Sequence, residues 1–221
     1  MPPRKDAAVL PTREAVFQAA ARLFSAKGFE GVSVDDIAEA AGVNKAMIYY
    51  HFADKLALYR AIIADMLQAM GARVTAIVGA PIGPGAKLDR FIENFVRLAD
   101  ERPWLPTLML REVTAGAPNL DVETLTHIRT VFLGFSRILA EGAAAGVFRP
   151  IHPVLAYTSV VGPLIMNAAR ERVAAQPGRD HLPMLVSISH DDLIAHGQET
   201  ARRMLATSHR DHRDTEDRQK A

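Results

Sequence analysis

The chain has no cysteine, which excludes disulfides, thiolate metal sites and cysteine nucleophiles. Aromatic residues make up only 6% of its 221 positions, with a single tryptophan. Acidic and basic side chains nearly cancel, 25 Asp and Glu against 26 Lys and Arg, for a formal net charge of +1. Bulk charge therefore announces no polyanionic partner, and such a contact must rest on a few placed cations and helix ends. Long apolar runs are lacking as well. Residues 154–169 are interrupted by Thr158, Ser159, Pro163 and Asn167, so no membrane span is expected. Arg4 and Lys5 have no apolar segment behind them, so no secretory leader is expected and a cytoplasmic location follows. Glycine-rich phosphate loops, nucleophile elbows and paired histidine–carboxylate motifs are absent too, so neither an enzyme nor a cofactor is expected.

What is present favours helices. Hydrophobic residues reach 49%, and alanine, leucine, methionine, arginine and glutamate dominate the periodic segments. A first helix is expected over residues 12–27, with Val16, Ala19, Ala20, Leu23 and Phe24 at helical spacing and Lys27-Gly28 as its stop. Ser33 caps a second helix, with Asp36 in the capping-box position. That helix buries Val34, Ile37, Ala38 and Ala41. Gly42 then turns the chain in a left-handed conformation, and Asn44 caps a third helix over residues 45–52. Asp54 caps a long fourth helix, residues 55–77, that continues without a linker into the rest of the chain.

The loop at residues 79–85, rich in glycine and proline, separates this rod from further helices at about 87–102, 103–114, 122–145, 153–175 and 191–206. Pro163 is expected to kink or break the penultimate helix. A strand is considered only at residues 182–188, where Pro183 argues against it. The fold class is therefore all-α. The domain expectation is a helix-turn-helix unit at 12–58, a helical unit at 59–206, and disordered tails at 1–11 and 207–221.

Two short helices joined by a glycine turn form a generic helix-turn-helix pattern. Here the pattern is joined to Ala19-Ala20 with Leu23-Phe24, Gly28-Phe29, Ser33-Val34 with Ile37-Ala38, Ala41-Gly42-Val43, Ile48-Tyr49-Tyr50-His51-Phe52 and Lys55. That set, spanning residues 12–60, closely resembles the TetR family of bacterial transcription regulators. The resemblance implies a homodimer that binds a palindromic operator in double-stranded DNA and answers to a small-molecule effector. It implies DNA contacts from Thr12, Arg13, Ser33, Asn44, Lys45, Ala46, Met47, Tyr49, Tyr50, His51 and Lys55. Lysine chemistry agrees, since Lys45 can donate to guanine O6 and N7 while Ala46 and Met47 can meet a thymine methyl. Met47 stands where the family most often has threonine, so base preference there is not carried over. Leu56 replaces the usual glutamate.

For the second unit the resemblance implies an effector pocket. Aromatic and methionine stripes offer Phe95, Trp104, Met109, Phe132, Phe135, Tyr157 and Met166 as its apolar lining, with Glu112, His127 and Asn167 as polar contacts. The same stripes equally suit a solid core. His190 and His196 lie six residues apart, on opposite faces of one helix, and with His181 do not suggest a metal site. The last two helices are the expected dimer surface, through Leu155, Thr158, Val161, Gly162 and Ile165 on one and Leu193, Ile194, Gly197, Thr200, Ala201 and Met204 on the other. The function expected is a ligand-responsive repressor; the alternatives are an activator, or a helical interaction protein without DNA binding.

Overall fold

The structure, a computed structural model, describes residues 12–174 and 188–207. The expected tails apart from Thr207, the strand candidate apart from Ile188, and His181 lie outside the described residues. Within them are nine helices: α1 (Thr12–Lys27), α2 (Val34–Ala41), α3 (Lys45–His51), α4 (Lys55–Gly79), α5 (Pro84–Glu101), α6 (Leu105–Ala115), α7 (Val122–Ala144), α8 (Pro153–Ala174) and α9 (His190–Leu205).

Local chemistry accounts for the N-terminal boundaries. The Ser33 hydroxyl accepts from the Asp36 amide at 3.1 Å while the Asp36 carboxylate accepts from the Ser33 amide at 2.7 Å, a complete capping box. The Ser33 hydroxyl also donates to that carboxylate at 2.6 Å, and this bond first, then the Ser33 amide and the nearby Lys27, hold the Asp36 carboxyl below its ordinary pKa. Asn44 accepts from the Met47 amide at 2.9 Å and Asp54 from the Ala57 amide at 2.7 Å, so α3 and α4 start where their caps sit. Gly42 takes φ 67° between α2 and α3, a conformation that costs a side-chain-bearing residue energy.

Elsewhere the boundaries shift. Helix α5 starts at Pro84 rather than near residue 87, because a proline fits the first helical turn, where its missing amide is not needed. Helix α8 runs on through Pro163 without a break. Helix α4 also corrects the expectation about apolar runs. It has 25 residues and a mean hydropathy of 1.4 in its most apolar window, long and apolar enough to cross a membrane by length and composition. Its Leu58, Ile62, Ile63, Met66, Met70 and Val74 are buried against other helices of the same chain.

Helix α4 is the spine. It packs along α7, with α5 beside both and α1 across its first turns. One apolar core runs from Phe24 and Ile48 through Ile62 and Val74 to Phe91, Phe135 and Leu205, so buried side chains continue across the boundary expected at residue 58. Lys87 is buried and donates to the Val78 carbonyl at 2.7 Å and the Glu141 carboxylate at 2.6 Å, tying α5 to the end of α4 and to α7. A lysine reaching a last-turn carbonyl completes a helix terminus that has no partner of its own. At the far end the Arg149 amide donates to the Leu205 carbonyl at 2.8 Å, and Arg202 grips Asp89 through two bonds of 2.9 and 2.6 Å.

Helix α9 uses its apolar stripe inside the protomer. Leu193, Ile194 and Ala201 are buried, and a side chain at Gly197 would meet Ile92 of α5 at 3.1 Å. Val161 of α8 is buried as well. Periodicity identified the faces, but much of what it offered to a partner is consumed by the chain's own core.

Near the end of α7 the ring of Phe148 occupies the space a Cβ of Gly142 would fill. Helix propensity alone makes alanine better than glycine at an interior helical site by about 1 kcal/mol. The clash reverses the sign. Gly142→Ala is expected to lower stability by about 1–3 kcal/mol, read from thermal melting followed by circular dichroism. A raised melting temperature would show that Phe148 yields freely.

Candidate functional site

Helix α3 is held by one buried side chain, Ile48, and by its caps. With Ile48 inward, helical geometry turns Lys45, Ala46, Tyr49 and Tyr50 outward together, and all four are exposed. Tyr49 is 50% and Tyr50 79% exposed, so neither ring is part of the core. Met47 is half-buried, and the ring of His51 lies edge-on to Tyr50 at 5.0 Å. His51 Nε2 is buried with no hydrogen-bond partner. Thr12 and Arg13 open α1, and the Arg13 guanidinium sits 5.1 Å from the centre of the Phe52 ring, a cation–π contact that places it beside α3. Ser33 and Asn44 spend their side-chain oxygens on caps.

Two lysines have partners within the helix-turn-helix unit. Lys45 is not free: its Nζ lies 2.8 and 2.9 Å from the two carboxylate oxygens of Asp35 on α2. The hydrogen bond to Asp35 is the main cause that raises the Lys45 pKa, so the ammonium stays charged. Lys55 points inward. It donates to the carbonyls of Phe29 and Val32, both at 3.0 Å, and lies 4.2 Å from the centre of the Phe29 ring. Lys55 therefore fastens the α1–α2 connection to the start of α4, instead of standing open at the edge of the site as a phosphate contact.

The second unit contains an apolar cavity of about 170 Å³, walled by Met66, Leu67 and Met70 of α4, Leu105, Pro106, Met109 and Val113 of α6, Ile128 and Val131 of α7, and Tyr157, Val161 and Ile165 of α8, with Phe95 of α5. Of the expected lining residues, Phe95, Met109 and Tyr157 are there. The others are elsewhere. Trp104 packs edge-on to Phe17 of α1 at 6.5 Å. Phe135 is buried against Phe91 and Tyr157, and Phe132 lies behind Tyr157 at 5.5 Å. Met166 is exposed, Asn167 bonds the Pro163 carbonyl at 3.0 Å, and His127 is half-buried outside the wall. Glu112 is buried with its carboxylate turned to Tyr59, not into the cavity. These large residues satisfied one another, and smaller ones were left to border the gap.

The Tyr157 hydroxyl is the cavity's one side-chain polar group. Burial pushes its pKa up to about 12, so it remains a hydrogen-bond donor at neutral pH. A neighbouring cleft of about 290 Å³ has Asp100 and His190 at its rim, 3.4 Å apart, and shares Phe95 and Pro106 with the cavity. Sequence reasoning missed the α4 wall because Met66, Leu67 and Met70 have the spacing of an ordinary core stripe.

A helix-turn-helix with an exposed third helix, fused through one continuous helix to a helical unit with an apolar cavity, defines a DNA-binding regulator of the one-component type. The description "bacterial regulatory proteins, tetR family" matches residues 16–62. The HTH-type transcriptional regulator RutR of Escherichia coli (strain K12) is 30% identical over 150 residues, 68% of this chain and 70% of that protein. The HTH-type transcriptional repressor KstR2 of Mycolicibacterium smegmatis is 28% identical over 141 residues, 62% of this chain and 68% of that protein. Among solved structures, the ketosteroid transcriptional regulator KstR2 of Mycobacterium tuberculosis superposes with a TM-score of 0.73 at 18% identity, covering 93% of this chain and 100% of that one. The chain belongs to the TetR family of bacterial transcription regulators.

Proposed function

We propose that this chain is a homodimeric repressor that reads a palindromic operator with two copies of α3 and releases it when a small, largely apolar molecule occupies the cavity. The observation that carries the reading is the double use of α4. Its first turn follows α3 directly, and one face of its middle forms a wall of the cavity through Met66, Leu67 and Met70. A molecule that fits better with this wall displaced shifts the population toward another spacing of the α3 pair. Repression is favoured over activation by the repressor KstR2 among its relatives.

In this reading Lys45, Ala46, Tyr49 and Tyr50 face the groove, Thr12 and Arg13 approach the flanking phosphates, and Met47 and His51 support the helix from behind. Ser33 and Asn44 act by fixing helix ends whose amides point toward the backbone of the duplex. The partner copy docks on α8 and α9, where Leu155, Thr158, Met166 and Thr200 remain exposed. The two units expected at 12–58 and 59–206 then act as reader and sensor sharing α4. The cavity's size suits a small occupant. Larger ones require Phe95, common to cavity and cleft, to turn aside.

An electrophoretic mobility shift with the duplex flanking the protein's own gene tests this. The native protein is expected to retard it as one dimeric complex, and Tyr49→Ala to weaken the complex by about tenfold. Unchanged binding by Tyr49→Ala would remove α3 as the reading element.

A further inference from the structure

Helix α6 borders the cavity with Met109 and Val113, and Glu112, next to Val113 in the last turn, turns its carboxylate to Tyr59 of α4 instead. Glu112 is 2% exposed. One carboxylate oxygen accepts from the Tyr59 hydroxyl at 2.6 Å and from the Asn119 amide at 2.9 Å. The other is buried with no hydrogen-bond partner. Tyr59 in turn sits edge-on to Phe24 of α1 at 5.0 Å and to Phe29 at 5.0 Å. Phe29 is the ring under Lys55. Two further bonds lie nearby, one from α4 to the connection after α6 and one from α6 to α1. Arg60 donates to the Asn119 carbonyl at 2.8 Å, and Arg111 approaches the Ala26 carbonyl at 3.5 Å.

We infer that the Glu112–Tyr59 hydrogen bond is the positioning contact through which the cavity wall of α6 sets the orientation of the helix-turn-helix unit. The inference rests on the effector-responsive reading above and adds an entry from α6 into the first turns of α4. An occupant that presses on Met109 and Val113 moves the last turn of α6. Glu112 moves with it, and Tyr59 transmits that movement to Phe24 and Phe29 because close-packed aromatic rings do not deform gradually.

The test requires no knowledge of the effector. Ile128→Phe fills the cavity from α7 and serves as the surrogate occupant. Affinity is measured by fluorescence anisotropy on a duplex selected from random sequence by the native protein, with thermal melting to verify folding. Ile128→Phe is expected to weaken native binding by about tenfold or more. In the Tyr59→Phe background, which keeps the ring and removes the bond, the same filling is expected to change affinity by no more than about twofold. Glu112→Met behaves likewise, and Glu112→Gln, which keeps the acceptor oxygen, restores the full effect. Should Glu112→Met fail to fold, Tyr59→Phe and Glu112→Gln still decide the matter. A contact of merely structural importance would alter filled and unfilled proteins alike and leave their ratio unchanged. Equal weakening by Ile128→Phe in all backgrounds overturns the Glu112–Tyr59 route while leaving the cavity reading intact. No weakening in the native background overturns both.

Discussion

Lys45→Ala is expected to lower operator affinity by about 10- to 100-fold, and Asp35→Asn to raise it. The opposite signs follow from the pairing seen in the free protein. The Lys45 ammonium is held by both Asp35 oxygens, at 2.8 and 2.9 Å, on the exposed face of the helix-turn-helix. To reach a guanine edge or a phosphate it must leave Asp35, whose charge then stands beside a polyanion. Removing Lys45 deletes the donor and leaves that repulsion unopposed. Removing the Asp35 charge frees the donor and abolishes the repulsion. Because the pair is exposed and screened, neither change is expected to disturb folding. Salt titrations add a second check. If Lys45 contacts phosphate, the slope of log affinity against log salt falls by about one per subunit in Lys45→Ala; if it contacts a base, discrimination among selected duplexes relaxes instead. Equal affinity for Lys45→Ala and native protein would sink the assignment, and weaker binding by Asp35→Asn would show that the acid orients Lys45 rather than restrains it.

That pairing illustrates what could and could not be read before the fold was known. Caps are local: Ser33, Asn44 and Asp54 each meet an amide three residues on, so their roles follow from neighbours in sequence. The outward face of α3 follows from a single inward Ile48 and a 3.6-residue period. Lys45 meeting Asp35 depends on how α2 lies against α3, and Lys55 turning inward depends on carbonyls at positions 29 and 32 arriving beside α4. A charge at a helix start gives no sign of such carbonyls. The cavity was less legible still. Large residues attract attention, yet Trp104, Phe132 and Phe135 found aromatic partners, and a gap remained where Met66, Met70 and Met109 met small branched side chains. Periodicity marks which face is buried; whether the burial is complete is decided by five helices together. Gly197 shows the same limit from another side, since a glycine that permits close approach does not say which helix approaches.

Phe24→Ala is expected to cost about 3–5 kcal/mol, a large share of the roughly 5–15 kcal/mol that holds a domain folded. Phe24 is fully buried, stacked on Phe29 at 5.9 Å and edge-on to Tyr59 at 5.0 Å, where α1 meets the first turns of α4. Truncation leaves a ring-sized void, and the rings that border it cannot collapse inward. Tyr59 is anchored by Glu112 from behind, and Phe29 is pinned beneath Lys55. The single tryptophan provides the readout. Trp104 is buried at the N-cap of α6 beside Phe17 of α1, so its emission reports the join between reader and sensor during urea unfolding. Since one core crosses that join, the variant is expected to unfold in one transition with its midpoint lowered and its slope kept. A second transition would mean that the helix-turn-helix melts by itself and that α4 alone, without the aromatic cluster, unites the two units. A loss below about 1 kcal/mol would mean that the cluster relaxes around the void, and a contact that soft could not carry the displacement of α6 to the DNA-reading helices.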